Sequence, residues 1–192
     1  MIIVTDRRHC IRPLPEQLDL ACKASPDMVI LREKDLPSDE LLSLAYDCLQ
    51  VCEEHDVPLV VNSNMDVARE LDICRIHVSF DTMCKGVPCD FSMVGVSVHS
   101  MYEAMKAEDM GADYIIVGHI FETASKSTEP RGIHFLRDIC DAVDIPVYAI
   151  GGIGPDNYYS LFDSGAMGGC CMSSVMKAED PAAFIRSLYP IK

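Results

Sequence analysis

Residues Ala149–Asn157 read AIGGIGPDN, and a second segment, Cys171–Pro181, reads CMSSVMKAEDP. Each follows a short apolar run and places small residues just ahead of a helical pattern. Backbone N–H groups in such turns can approach an anion closely, and the dipole of the following helix favours negative charge. Ordinary tight turns share this composition, but two of them at successive strand ends weigh toward phosphate, with Gly151, Gly152, Met172 and Ser173 as candidate backbone contacts. Their place in the chain also separates two architectures. A dinucleotide-binding open sheet carries GxGxxG after its first strand, and nothing of that form follows the opening MIIVTDRR. A barrel commonly carries a phosphate site after its seventh and eighth strands, which is where these turns fall.

Outward from that point, Val- and Ile-rich runs alternate with segments of helical spacing, the signature of a parallel sheet wrapped by helices. Strands are predicted at Ile2–Thr5, Met28–Arg32, Pro58–Asn62, Arg75–Val78, Met93–Val98, Tyr114–Gly118, Val147–Ile150 and Gly169–Met172. The clearest helices are Ser38–His55, with Leu41, Leu42, Ala45, Leu49 and Cys52 on one face, Ser100–Met110 and Gly132–Val143. Pro37-Ser38 and Pro155-Asp156 mark helix starts, and Gly111 and Gly165 follow helix stops. The first connection, RRHCIRPLPEQ, has two prolines and little periodicity and should be irregular. The sequence thus predicts a closed (β/α)8 TIM barrel forming a single domain over 1–192.

Composition narrows the function classes. Sixteen basic against thirty acidic residues give a formal charge of −14, which would repel a nucleic-acid backbone. No stretch approaches the roughly 20 apolar residues of a membrane span, and the first residues lack the form of a secretory signal. The chain reads as soluble, unexported and cytoplasmic, with neither nucleic acid nor membrane as partner; a homo-oligomer is compatible with it. Ten cysteines, including Cys48 and Cys52 on a helix and Cys170-Cys171 in a strand, form no paired CxxC set. They read as reduced thiols packed as small hydrophobes, and no metal site is expected.

The candidate chemistry lies at strand ends. Arg32 and Lys34 in LREKD share one side of an extended chain. An arginine there is costly unless it meets an anion or an acid such as Glu33 or Asp66. Asn62 ends the third strand and could orient a polar ring substituent, or simply make a turn. The segment DYIIVGHIFETASKSTEPRG puts His119 immediately beyond an apolar strand, where a histidine suits proton transfer. Thr123, Ser125, Lys126 and Arg131 follow as donors and cations for an anionic ligand. His77 and His99 read as structural histidines.

VTD, LREKD, VPLVVN, GVSVHS, GADYIIVGHIFET, SK, IPVYAIGGI and AEDP occur in that order, and with this series the chain resembles the thiamin phosphate synthase and TenI superfamily along nearly its whole length. For a synthase, the resemblance implies a glutamine in the second strand and acidic magnesium ligands. Here Ile30 stands at the glutamine position, Ser63 replaces the aspartate after Asn62, and Thr82 occupies the second acidic position with Asp81 one place out of step. GHIFET followed by SK and PRG, and GVSVHS, are closer to the TenI branch. That branch implies a thiazole tautomerase: an isomerase without metal, in which His119 moves a proton on a carboxythiazole phosphate. Gly152 and Ser173 would hold its phosphate, with Arg32, Lys34 and Lys126 as polar contacts. The alternatives are a thiamine phosphate synthase, using magnesium to join a pyrimidine diphosphate to a thiazole phosphate, and a non-catalytic binding or regulatory protein.

Overall fold

The structure, a computed structural model, describes residues 1–123 and 127–189. Eight parallel strands close into a barrel in sequence order: β1 (Ile2–Val4), β2 (Met28–Leu31), β3 (Leu59–Asn62), β4 (Arg75–Ser79), β5 (Met93–Val98), β6 (Tyr114–Gly118), β7 (Val147–Ile150) and β8 (Gly168–Cys171). Nine α-helices follow or separate them: α1 (Leu14–Cys22), α2 (Ser38–Glu54), α3 (Met65–Glu70), α4 (Phe80–Lys85), α5 (Met101–Asp109), α6 (Gly132–Ala142), α7 (Tyr158–Asp163), α8 (Ser173–Met176) and α9 (Pro181–Ser187), counted among the described residues. The predicted closed TIM barrel is the observed fold. Strand bounds shift by a residue at several ends, because Thr5, Arg32 and Met172 already belong to the turns that carry polar groups.

The chain divides into two compact units, Met1–Ile76 with Cys171–Lys192, and His77–Cys170. In the first, β2 lies between β1 and β3, with Ile30 paired to both Val4 and Val60. The helix predicted at Ser38–His55 is α2, but its buried stripe is Leu41, Ala45, Cys48 and Cys52. Leu42 and Leu49 are only half-buried, since the 41, 45, 48, 52 spacing follows the helical period more closely. The irregular first connection is a 3₁₀ turn, Arg7–His9, capped by Asp6, before α1 begins behind Pro13. Gln17 of α1 is buried and its amide donates to the carbonyls of Val175 and Ala178, at 2.7 and 2.9 Å, tying α1 to α8 and the chain after it.

In the second unit β5, β6, β7 and β8 pair in turn, Gly95 opposite Tyr114, Gly118 opposite Ile150 and Ala149 opposite Gly169. The Ser100 side chain accepts from Glu103 N, while the Glu103 carboxylate accepts from His99 N, so both side chains satisfy amides that α5 leaves open. Gly111 and Gly165 end α5 and α7 at φ 86° and 88°, a region open to glycine at no steric cost. The start expected at Pro155-Asp156 falls later, at Tyr158, where Asn157 bridges the preceding turn instead.

All ten cysteines are free thiols, and Cys22, Cys48, Cys52, Cys170 and Cys171 are buried. Burial pushes the Cys48 thiol far up and that of Cys171 up to about 12, so both pack as neutral, small apolar groups. No described helix is long and apolar enough to cross a membrane.

Candidate active site

In the first unit the ends of β1 and β2 hold a dense set of charges. Glu33, 4% exposed, is the centre. Its carboxylate accepts from the Thr5 hydroxyl at 2.7 Å, from the Arg7 backbone N–H at 3.0 and 3.1 Å, and from the Arg7 guanidinium at 3.2 Å. The same guanidinium forks onto both oxygens of Asp35, at 2.8 and 2.9 Å, and holds that carboxyl below the usual range. Asp6 is also lowered, first by the Arg8 side chain bonded to it. Beside these pairs lies an open cleft of about 190 Å³ lined by Asp6, Arg8, Arg32, Glu33, Lys34 and Asp35.

Arg32 therefore lines a cleft, as its motif suggested, but neither acid expected to partner it does so. Glu33 is taken by Arg7, and Asp66 pairs with Arg69 at 3.4 Å. The backbone reason is visible: Arg32 N–H donates to Thr5 Oγ1 and fixes the strand, so the next residue, Glu33, turns toward the β1 loop. Lys34 is exposed on the cleft wall. Sequence reasoning missed Thr5 and Arg7, although VTD belongs to the motif series; one loop arginine in RRHCIR looks like any other until the 3₁₀ turn points it back.

Asn62 donates to Ser63 Oγ at 3.0 Å, Ser63 sits at φ 65°, and Asn64 caps α3 while donating to Ser38 Oγ. The NSN segment is a tight turn in which Asn62 bonds its neighbour Ser63 while Asn64 ties the turn to α2 and α3. Met172 follows β8, half-buried, at the cap position of α8, which Ser173 opens; the Met172 carbonyl accepts from Val175 and Met176.

In the second unit the glycine turn after β7 presses on the chain after β6. Gly151 and Gly152 have φ 101° and 67°. A Cβ on Gly151 would collide with Cβ of His119, and one on Gly152 with the Glu122 carbonyl. Phe121 N–H donates to Gly151 O, and the Asn157 amide donates to Gly152 O at 2.8 Å. Glycine is thus required here by the approach of the β6 loop. His119 is half-buried behind a cis Gly118–His119 peptide, and its Nε2 donates to the Thr128 carbonyl at 3.1 Å. Thr123 is half-buried; Ser125 and Lys126 lie outside the described residues. His99 bonds the Gly118 carbonyl at 3.0 Å. His77 is buried between Tyr114 OH, at 3.2 Å, and Ser97 Oγ, at 2.8 Å, a contact between strands that sequence spacing did not reveal.

Magnesium, implied for a synthase by the resemblance, is not matched by these side chains. Ser63 Oγ already accepts from Asn62, and Thr82 Oγ1 is bonded to Ser79 Oγ at 2.9 Å. Neutral hydroxyls are poor replacements for the carboxylates that hold a hard dication. Among the described residues no group of three or more His, Cys, Asp or Glu could hold a metal ion.

Comparison with known proteins corrects the functional expectation. The chain is 35% identical over 196 residues to a thiamine-phosphate synthase of Roseiflexus sp. (strain RS-1), covering 98% of this chain and 83% of that one. It is 30% identical over 201 residues to thiamine-phosphate synthase 2 of Streptococcus pneumoniae serotype 4, covering 100% and 96%. A thiamine phosphate pyrophosphorylase structure from Pyrococcus furiosus superposes with a TM-score of 0.85 at 30% identity, over 97% of this chain and 92% of that one. These relatives are transferases, and they overturn the expectation of an isomerase, the thiazole tautomerase in which His119 moves a proton. The TenI-like spelling around His119 and the losses at Ile30, Ser63 and Thr82 concern a few positions, whereas the relatives match nearly the whole chain. With the thiamine monophosphate synthase model matching residues 1–175, the chain belongs to the TMP-TENI family.

Proposed function

We propose that this protein is a transferase of the thiamine-phosphate synthase type, joining a pyrimidine diphosphate to a thiazole phosphate in thiamine biosynthesis. The full-length relation to thiamine-phosphate synthases carries this reading. In the reaction the thiazole nitrogen uses its lone pair to bond the pyrimidine methylene carbon, and the carbon–oxygen bond to diphosphate breaks with the electron pair leaving on oxygen.

What the chain must supply is charge compensation for the leaving diphosphate and a fixed place for both partners. In the first unit Arg32 and Lys34 are the cations for that role. Glu33 and Asp35 are already satisfied by Arg7 and Thr5, so their charge opposes an incoming anion less. Asn62 would contact a ring substituent. In the second unit the Gly151–Gly152 turn offers backbone to the thiazole phosphate, and in the first unit the Met172–Ser173 turn is a separate candidate for an anion. Thr123, Ser125 and Lys126 are polar contacts of the β6 loop, and His119, whose Nε2 is engaged by Thr128, acts there as an orienting donor.

Purified protein incubated with hydroxymethylpyrimidine diphosphate and thiazole phosphate, in magnesium and in EDTA, tests the reading by mass spectrometry. Thiamine phosphate should appear with an equal amount of diphosphate. Binding of both substrates with no product in either buffer would sink it and leave a binding protein.

A further inference from the structure

Three carboxylates line the cleft at the ends of β1 and β2, yet all of their oxygens already accept from donors of the first unit. Asp6 Oδ1 and Oδ2 accept from Arg8 Nε and Nη2, at 3.1 and 3.2 Å. Both oxygens of Asp35 accept from the Arg7 fork. Glu33 Oε1 accepts from the Thr5 hydroxyl, and its Oε2 from the Arg7 guanidinium. A dication bound to any of these oxygens would lie beside a cationic or otherwise committed donor, and a guanidinium cannot give up its charge. These acids are therefore unfit to hold magnesium. Ser63, in the same unit, offers a neutral hydroxyl where the resemblance implies a carboxylate.

The cations of the cleft are not answered in the same way. The Arg32 side chain makes no hydrogen bond or ion pair among the described residues, and Lys34 lines the same wall. Arg8 is the less obvious member. Its guanidinium lies side-on to Asp6 through Nε and Nη2, which fixes its plane, while Nη1 meets no acceptor among the described residues and the side chain is 64% exposed. Asp6, which is buried, also lies 3.1 Å from His9 Nδ1, so the carboxylate that aims Arg8 is itself held by the loop. In a chain of formal charge −14, three cations gathered on one cleft with no unengaged carboxylate suit a compact polyanion.

We propose that this cleft neutralises the diphosphate end of the substrate with guanidinium and ammonium groups in place of magnesium, with Arg8 as an added diphosphate-binding residue and Asp6 as the residue that positions it. The role in turnover rests on the transferase reading, while the metal-free anion contact does not.

Calorimetric titration of the intact protein with inorganic diphosphate, in EDTA and in magnesium, reads the metal directly. Diphosphate should bind in EDTA and bind no more tightly when magnesium is added. Binding that needs magnesium, or that tightens about tenfold with it, would overturn the proposal. In EDTA, Arg8→Gln should weaken diphosphate about tenfold or more, as expected when hydrogen bonds to a charged ligand are lost, and a loss under about threefold would refute the role of Arg8. Lys23→Gln changes the net charge equally at the end of α1, where Lys23 pairs with Asp19, and should leave the affinity within about twofold. An equal loss in that variant would reduce Arg8 to a contribution of bulk charge. Because Arg8→Gln also uncovers Asp6, the double variant Asp6→Asn/Arg8→Gln separates contact from masking. It should stay well below the parent; full recovery would mean that Arg8 only masks Asp6. If Arg8→Gln fails to fold, the response of the parent to magnesium still decides. Should diphosphate bind as expected in EDTA while no thiamine phosphate forms, only the transferase reading falls. Should thiamine phosphate form, and diphosphate bind, only with magnesium, that reading stands and the present one falls.

Discussion

The ends of β1 and β2 and the stretch shared by β4, β5 and β6 both bury polar side chains, with opposite chemistry. At the first, Glu33 is buried as a charge and is satisfied from three directions by Thr5, the Arg7 amide and the Arg7 guanidinium. At the second, Tyr114, His77 and Ser97 form a neutral series that needs no counter-ion, only a glycine opposite the ring. A buried charge demands several donors at once, so its neighbours must come from an irregular loop that can turn back on it. A neutral chain demands shape, which regular strands supply by register alone. The first arrangement should therefore be sensitive to pH and to loss of a partner, and the second to volume.

The largest effect is expected where volume is most constrained, in the second unit. Gly152→Val combines a positive φ with a collision against the Glu122 carbonyl and should destabilise by about 3 kcal/mol or more, read from urea unfolding. A loss under about 1 kcal/mol would mean the β6 loop yields easily, and the expectation that the second unit is the one sensitive to volume would weaken.

Next comes the buried charge. Glu33→Ala leaves the Thr5 hydroxyl and the Arg7 amide without their acceptor and should cost about 2–3 kcal/mol in the same experiment. Tyr114→Phe removes one neutral hydrogen bond and keeps the ring, so a loss of about 1 kcal/mol is expected. If the two substitutions cost the same, the distinction between charged and neutral burial fails.

The smallest effect sharpens the comparison through pH. The Asp6 carboxyl is held below its ordinary value, first by the Arg8 side chain. A carboxyl depressed in the folded state contributes stability that is fully present above its unfolded pKa of about 3.9 and is lost as pH falls through the folded value. Asp6→Asn keeps an acceptor for the Arg8 amide but removes the charge. It should flatten the decline in unfolding midpoint below about pH 4. Tyr114, raised by burial, contributes no titration in that range.

Short apolar runs between helical segments, rich in Val and Ile except in β8, were enough to place the eight strands and the longest helices, because burial on both faces of a parallel strand writes itself into local composition. The turn after β7 was legible for a different reason: Gly151 and Gly152 adopt positive φ, which sequence expresses as glycine. Arg32 and Lys34 could be placed at a strand end because LREKD breaks an apolar run. Partnership was not legible. That Glu33 belongs to Arg7 and not to Arg32, and that Gly95 is empty to admit Tyr114 and so connect it with His77 and Ser97, depends on inter-strand register and on the course of one irregular loop. Composition and period report how much of a residue is buried. Which atoms it meets is fixed only when strands distant in sequence are brought side by side, since hydrogen bonds are directional and short-ranged while the hydrophobic pattern is neither.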